Sequence, residues 1–89
     1  MDSYQTEIFN VLKNTLRRNI LLELLEQDLT PGYFALVYER SPAAITRHLK
    51  ILEEARLITR HRQGTEILCR INIWGLKAIK VDWLIKLLL

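Results

Sequence analysis

"SPAAITRHLKILEEARLITRHRQGTEI", residues 41–67, is the stretch from which the rest of the chain is read. Ser41 followed by Pro42 is a firm helix start. The serine hydroxyl can accept from an orphan backbone N–H, and a proline at the first helical position has no N–H to lose. Ile45, Leu49 and Leu52 follow at intervals of four and three, so they share one face of a helix over 42–54 and belong to a core. Ala43, Thr46, Arg47, Lys50 and Glu54 fall on the opposite face, with His48 at the border. After Ala55-Arg56 the period changes. "LITRHRQ" and "TEILCRI" are β-prone runs around Gly64, which predicts a hairpin over 57–71 with Ile67, Cys69 and Ile71 turned toward the helices. Nothing in the stretch is catalytic.

Upstream, a first helix is predicted over about 3–12, with Tyr4, Ile8 and Leu12 on one side. A second begins near Asn14 and turns Leu16, Ile20 and Leu24 inward, together with Leu21 and Leu25. Arg17 and Arg18 stand in its first turn, where the helix dipole disfavours cations. That placement points to a negatively charged neighbour. Thr30 can cap a short third helix with Pro31 at its first position, and Tyr38-Glu39-Arg40 makes the turn into Ser41. Downstream, about 73–89 reads as helical again. Leu76, Ile79, Trp83 and Leu87, with Ile73, Leu84 and Leu88, form an apolar face too wide for one small core, so a further surface should cover it. Trp74 and Trp83 are expected as core or interface anchors, and Cys69 as a small buried apolar side chain.

The fold class is therefore mainly α with a small β-hairpin (α+β), in the order α-α-α-α-β-β-α. A helix pair with a tight turn and a hairpin directly behind it is a winged helix-turn-helix. With 89 residues the chain is expected to form one domain over 1–89. A core of that size is thin, which favours association with a second copy or a partner. The N-terminus has neither a basic start nor a long apolar run. Lys77, Lys80, Asp82 and Lys86 interrupt the C-terminal apolar segment, so neither a secretory signal nor a membrane span is expected. One cysteine cannot form an internal disulfide, which fits a reducing cytoplasm.

The formal charge is +3, unevenly spread. Residues 40–70 hold seven Lys/Arg against three acids, a local +4, and the remainder sums to −1. A basic excess confined to one region points to a polyanion. There is no Gly-rich phosphate loop, no paired acid and base and no metal cluster in the sequence, so an enzyme is the least favoured class.

"LKNTLRRNILLELLE", "TPGYFALVYERSPAAITRHLKILEEARLI" and "RHRQGTEILCRI" resemble the successive blocks of the ArsR-like winged-helix transcription regulators, over nearly the whole chain. The resemblance implies a homodimer held by the first and last helices, with Ile8, Leu12, Leu76, Ile79, Trp83 and Leu87 at the interface. It also implies a transcriptional regulator, a repressor, that binds double-stranded DNA with sequence specificity. Two recognition helices would enter major grooves about one turn, roughly 34 Å, apart. Ala43 and Ala44 give clearance to base edges, Ser41 caps beside them, and Thr46 bonds a base or a phosphate. Arg47 is the choice for direct readout of guanine, and Lys50 for a phosphate. In the wing, Arg60, Arg62, Gln63 and Thr65 would reach backbone or minor groove. Arg17, where the family carries an arginine, and Arg40 would add phosphate contacts. No cofactor and no membrane partner is implied. The location would be the cytoplasm of a prokaryote, or of a host cell for a viral protein.

The sequence also departs from the family. Metal-sensing members place cysteines at the start of the third helix, where this chain has Thr30 and Gly32, and a second family site on the last helix is left with Asp82. No metal is expected, since such sites need thiolates or imidazoles. The turn carries Glu39-Arg40 in place of a glycine and an apolar residue, and Arg56 stands where a glycine usually ends the recognition helix. A left-handed backbone costs a non-glycine residue roughly 1 kcal/mol. Extra phosphate contacts from the two arginines are one expected compensation. Two rival functions remain at this point: a docking module built on the same fold, and an architectural DNA binder without sequence preference.

Overall fold

The computed structural model describes residues 3–79. Five helices and one hairpin follow in order: α1 Ser3–Leu12, α2 Thr15–Glu26, α3 Pro31–Val37, α4 Pro42–Glu54, β1 Ile58–Gln63, β2 Glu66–Ile71 and α5 Ile73–Lys77. The expected helix over 73–89 is described as far as α5, and the remainder, Trp83 and Leu87 included, lies outside the described residues.

Local chemistry explains where the helices start. Asn14 Oδ1 accepts from Arg17 N at 3.0 Å, Thr30 Oγ1 from Tyr33 N at 3.1 Å, and Ser41 Oγ from Ala44 N at 3.1 Å. Each N-cap satisfies one of the donors a helix start leaves unpaired. The positions of Arg17 and Arg18 also gain a cause. Arg17 Nη1 donates to the Val11 carbonyl at 3.2 Å and Arg18 Nη1 to the Leu12 carbonyl at 2.8 Å. The negative neighbour is the C-terminal end of α1, whose last carbonyls have no partner inside their own helix.

Two helices end in the same way. In α4, Leu57 N donates to Leu52 O at 3.0 Å and Arg56 N to Glu53 O at 2.9 Å, with Arg56 at φ 62°. In α3, Arg40 N donates to Ala35 O at 3.1 Å and Glu39 N to Leu36 O at 3.4 Å, with Glu39 at φ 53°. Both are Schellman ends, which place one residue in the left-handed region and favour glycine there. In the turn, the strained residue is therefore Glu39, and Arg40 is the one after it. Leu52 and Leu57, the apolar pair that accompanies the motif in α4, are both fully buried.

The core is one cluster. Ile8, Leu12, Ile20, Leu24, Phe34, Ile45, Leu49, Leu52, Leu57 and Cys69 fill it, so α1, α2, α3, α4 and β2 all contribute. One expectation changes and one narrows. Leu25 is exposed, at 49%, and does not face inward, while Trp74, at 75% with the Lys77 ammonium over its ring, is not a core anchor, which leaves the interface alternative. The hairpin pairs Ile58 with Ile71 through Gln63 with Glu66, leaving Gly64 and Thr65 as a two-residue loop. Gly64 has φ 64° while Thr65 does not enter that region, the arrangement of a type II′ turn. On the other edge of β2, Leu29 exchanges both backbone bonds with Cys69, so the wing is rooted in the loop between α2 and α3.

Candidate nucleic-acid interface

The face of α4 away from the core is open. Ile45, Leu49 and Leu52 have no exposure, whereas Ser41, Ala43, Thr46, Arg47 and Lys50 are exposed and Ala44 is half-buried. Burying three such aliphatic side chains is worth about 1.5–3 kcal/mol each, which fixes the rotation of the helix and hence which residues it presents. Arg40, Arg62, Gln63 and Thr65 are also exposed. Among the described residues Arg40, Arg47, Lys50 and Arg62 form no ion pair with the chain's own carboxylates. Four cations thus remain available to an external anion.

Arg60 is paired within the chain. Its Nε and Nη2 donate to Glu53 Oε1 at 3.2 and 2.7 Å, tying β1 to α4. The same contact lowers the Glu53 pKa and raises that of Arg60. In the free chain the Arg60 guanidinium is thus occupied by a carboxylate, which braces the wing against α4 and sets it apart from the unpaired Arg62. Arg70 likewise binds Asp28 Oδ2 at 3.0 and 2.8 Å, which holds the Asp28 carboxyl below its usual range. Of the seven Lys/Arg in 40–70, these two are paired with the chain's own carboxylates.

Arg17 is half committed. Its Nε donates to His48 Nδ1 at 3.1 Å and its Nη1 to Val11, while Nη2 has no partner among the described residues. Burial and the nearby Arg47 lower its pKa. Arg17 therefore stands beside the exposed face of α4. On the far side of α2, Tyr33 Oη and Tyr38 Oη donate to the two oxygens of Glu23. That carboxylate pins both ends of α3, and so the approach to the turn, onto α2. Sequence reading passed over Glu23 because its partners lie 10 and 15 residues away; an acid beside an apolar helix face was its one visible signal.

Ile8 and Leu12 are corrected from the expected dimer interface. At 1% and 0% exposure they are spent on the chain's own core. Ile79 is buried too, at 5%, and Leu76 packs partly buried against the core. Exposed apolar surface is instead offered by Phe9, Ile73 and Trp74. Cys69 has no exposure, and burial pushes its thiol up to about 11, so neither metal binding nor an interchain bridge suits it. Among the described residues no three His, Cys, Asp or Glu side chains are grouped to hold a metal ion. No helix among them is long and apolar enough to cross a membrane.

A short helix, a Schellman turn, a second helix with an open polar face and a basic hairpin together make a winged helix-turn-helix of the DNA-binding class. The chain belongs to the ArsR family of bacterial regulatory proteins, whose sequence profile matches residues 14–60. It is a transcriptional regulator with a winged-helix DNA-binding domain, and not an enzyme. The transcriptional repressor SdpR of Bacillus subtilis (strain 168) is 32% identical over 78 residues, spanning 88% of this chain and 86% of the relative. The HTH-type transcriptional regulator Rv2034 of Mycobacterium tuberculosis is 30% identical over 84 residues, with 92% and 78% covered. The homodimeric winged helix-turn-helix DNA-binding domain of Mb0332 from Mycobacterium bovis superposes with a TM-score of 0.78 over 93% of this chain and 78% of its own. At 18% identity, that likeness is one of fold.

Proposed function

We propose that the chain, as one domain over 1–89, is a cytoplasmic homodimeric repressor that reads a partly palindromic operator in double-stranded DNA. In this reading α4 enters the major groove. Ser41, Ala43 and Ala44 lie closest to the base edges, Thr46 and Arg47 make the contacts that discriminate, and Lys50 holds a phosphate. Arg62, Gln63 and Thr65 of the wing, with Arg40 and the free edge of Arg17, fix the register on the backbone. No metal is required. The observation that carries the reading is the open outer face of α4, which keeps Arg47 and Lys50 unpaired while nearby arginines are spent on intramolecular contacts. SdpR is a repressor and Mb0332 a homodimeric domain, which supports the finer points. The second copy would cover the apolar surface of α1 and α5, where Phe9, Ile73 and Trp74 are exposed, and not Ile8 or Leu12.

Selection of bound duplexes from a random pool, at two salt concentrations, tests this. Phosphate contacts make log affinity fall linearly with log salt, and specificity is a ratio between sites. An enriched palindrome with a steep salt slope is expected. Uniform retention of all sequences would instead define an architectural protein, and no retention at low salt a docking module. Sedimentation equilibrium should give a dimer.

A further inference from the structure

His48 is half-buried where α2, the turn after α3 and α4 meet. Its Nδ1 accepts from Arg17 Nε at 3.1 Å. An arginine Nε–H is always a donor, so this bond requires a neutral ring with its proton on Nε2. Three guanidiniums bear on that ring: Arg17 from α2, Arg40 from the turn, and Arg47 from α4. No carboxylate of the described residues is among the charges that act on the ring; Glu23 is bound to Tyr33 and Tyr38, and Glu53 to Arg60. The result is a cluster of like charge with one neutral member, and that member occupies the Nε–H of Arg17.

An arginine can grip a phosphate as a two-pronged fork through its Nε/Nη2 or its Nη1/Nη2 edge, and with Nη1 of Arg17 on the Val11 carbonyl the Nε/Nη2 edge is the one in question. Arg17 Nη2 has no partner among the described residues, while Nε is held by His48. We infer that His48 is a positioning residue whose proton is coupled to DNA binding: the neutral ring parks the Arg17 fork in the free protein, and uptake of a proton releases that fork to a DNA phosphate. One proton moves from solvent to His48 Nδ1, where it forms an N–H bond, and the hydrogen bond from Arg17 Nε is lost.

Burial and the three arginines hold the pKa of His48 below its usual value in the free protein. A phosphate placed among Arg17, Arg40 and Arg47 cancels much of that repulsion, so protonation becomes easier in the complex. Linkage then sets the sign: whatever raises the proton affinity of a group binds more tightly as pH falls through the interval between the two pKa values. A rise of about one unit on binding corresponds to about a tenfold gain in affinity across that interval.

This inference rests on the DNA-binding reading, and a sequence-independent phosphate contact lets any duplex serve as the probe. Affinity for a mixed-sequence duplex of about 30 base pairs is measured between about pH 8 and about pH 5.5 for the wild type, H48N and H61N, the last at the other histidine, exposed on β1 opposite Leu68. Asparagine keeps an acceptor for Arg17 and does not titrate. H48N should match the wild type at the alkaline end and lose most of its tightening at the acid end, while H61N keeps the wild-type slope. In parallel, NMR titration of the His48 ring in the wild-type protein should give a higher pKa with DNA than without, which needs no variant to fold. A purely structural role would move affinity alike at every pH and leave the ring's pKa unchanged on binding. Binding with the same slope in H48N, or an unchanged ring pKa, overturns the coupling alone. No binding at any pH overturns the DNA reading as well.

Discussion

Gly75 packs directly against the Arg56 backbone: a Cβ on Gly75 would stand 1.8 Å from the Arg56 carbonyl oxygen and 2.9 Å from its carbon. The same oxygen accepts from Asn72 Nδ2 at 2.8 Å, so the end of the recognition helix and the start of α5 are in contact through main chain. This places the Arg56 backbone at the end of α4 remote from Ser41. Its left-handed conformation is thus accompanied by a hydrogen bond from Asn72, and the expected compensation by a phosphate contact has no support from its position.

Because the obstacle is backbone and not a flexible side chain, Gly75→Ala has no room to relax into. Overpacking of this kind costs about 1–3 kcal/mol or more. Chemical denaturation should show a fall in unfolding free energy of that order, larger than for Ala substitution at Gly32, whose nearest contact is Thr30 Oγ1 at 3.9 Å. Equal midpoints for the two variants would mean that α5 does not dock as described.

The two Schellman ends invite the opposite change. Glu39 and Arg56 hold φ 53° and 62° with a Cβ that disfavours the region. Glu39→Gly and Arg56→Gly should each stabilise the fold by about 1 kcal/mol, less what glycine costs through unfolded-chain entropy. Arg56→Gly should leave DNA affinity and its salt slope unchanged. A loss of affinity there would restore the phosphate contact.

Helix starts were legible because Thr30-Pro31 and Ser41-Pro42 carry their chemistry within a few residues, and the core face of α4 was legible from spacing alone. What the sequence could not show is pairing at a distance. Arg17 meets His48 31 residues on, and Arg70 meets Asp28 42 residues back. Periodicity likewise marks Ile8 and Leu12 as apolar-facing without saying whether one chain or two supply the cover. The exposure of Ala43, Thr46, Arg47 and Lys50 was legible because a helix rotated by its core presents the rest. The pairing of Arg60 was not legible because Glu53, seven positions away, becomes its neighbour only after the chain turns from α4 into β1.

Tyr38 gives a pH-dependent test of the Glu23 clamp. Burial, and then the hydrogen bond to Glu23, push its phenol up to about 12. The neutral form is favoured in the fold relative to an unfolded tyrosine near about 10, so this stabilisation is complete below about pH 10 and lost as pH rises toward about 12. Tyr38→Phe should destabilise by about 1.5–3 kcal/mol at neutral pH, in the range for a hydrogen bond to a charged group, and the gap should close in alkali. Tyr33 shifts the same way through its bond to Glu23, so tyrosinate absorbance should appear late. Ionisation of Tyr38 at an ordinary pKa with the fold intact would remove the clamp.

Three arginines separate reading, holding and bracing. Arg47→Ala should relax preference at one base position of the selected site, with a loss of about 1–3 kcal/mol against the preferred base. Arg62→Ala should weaken all sequences alike and reduce the salt slope by about one. Arg60→Ala should act through the fold, because its guanidinium is held by Glu53. With both partners partly exposed, at 29% and 38%, the ion pair is worth about 1 kcal/mol or less. Its removal should lower stability slightly, loosen the wing and leave the salt slope near the wild-type value. If Arg60→Ala flattened the slope as much as Arg62→Ala, the Glu53 pair would have to open on binding, and Arg60 would return to the DNA face.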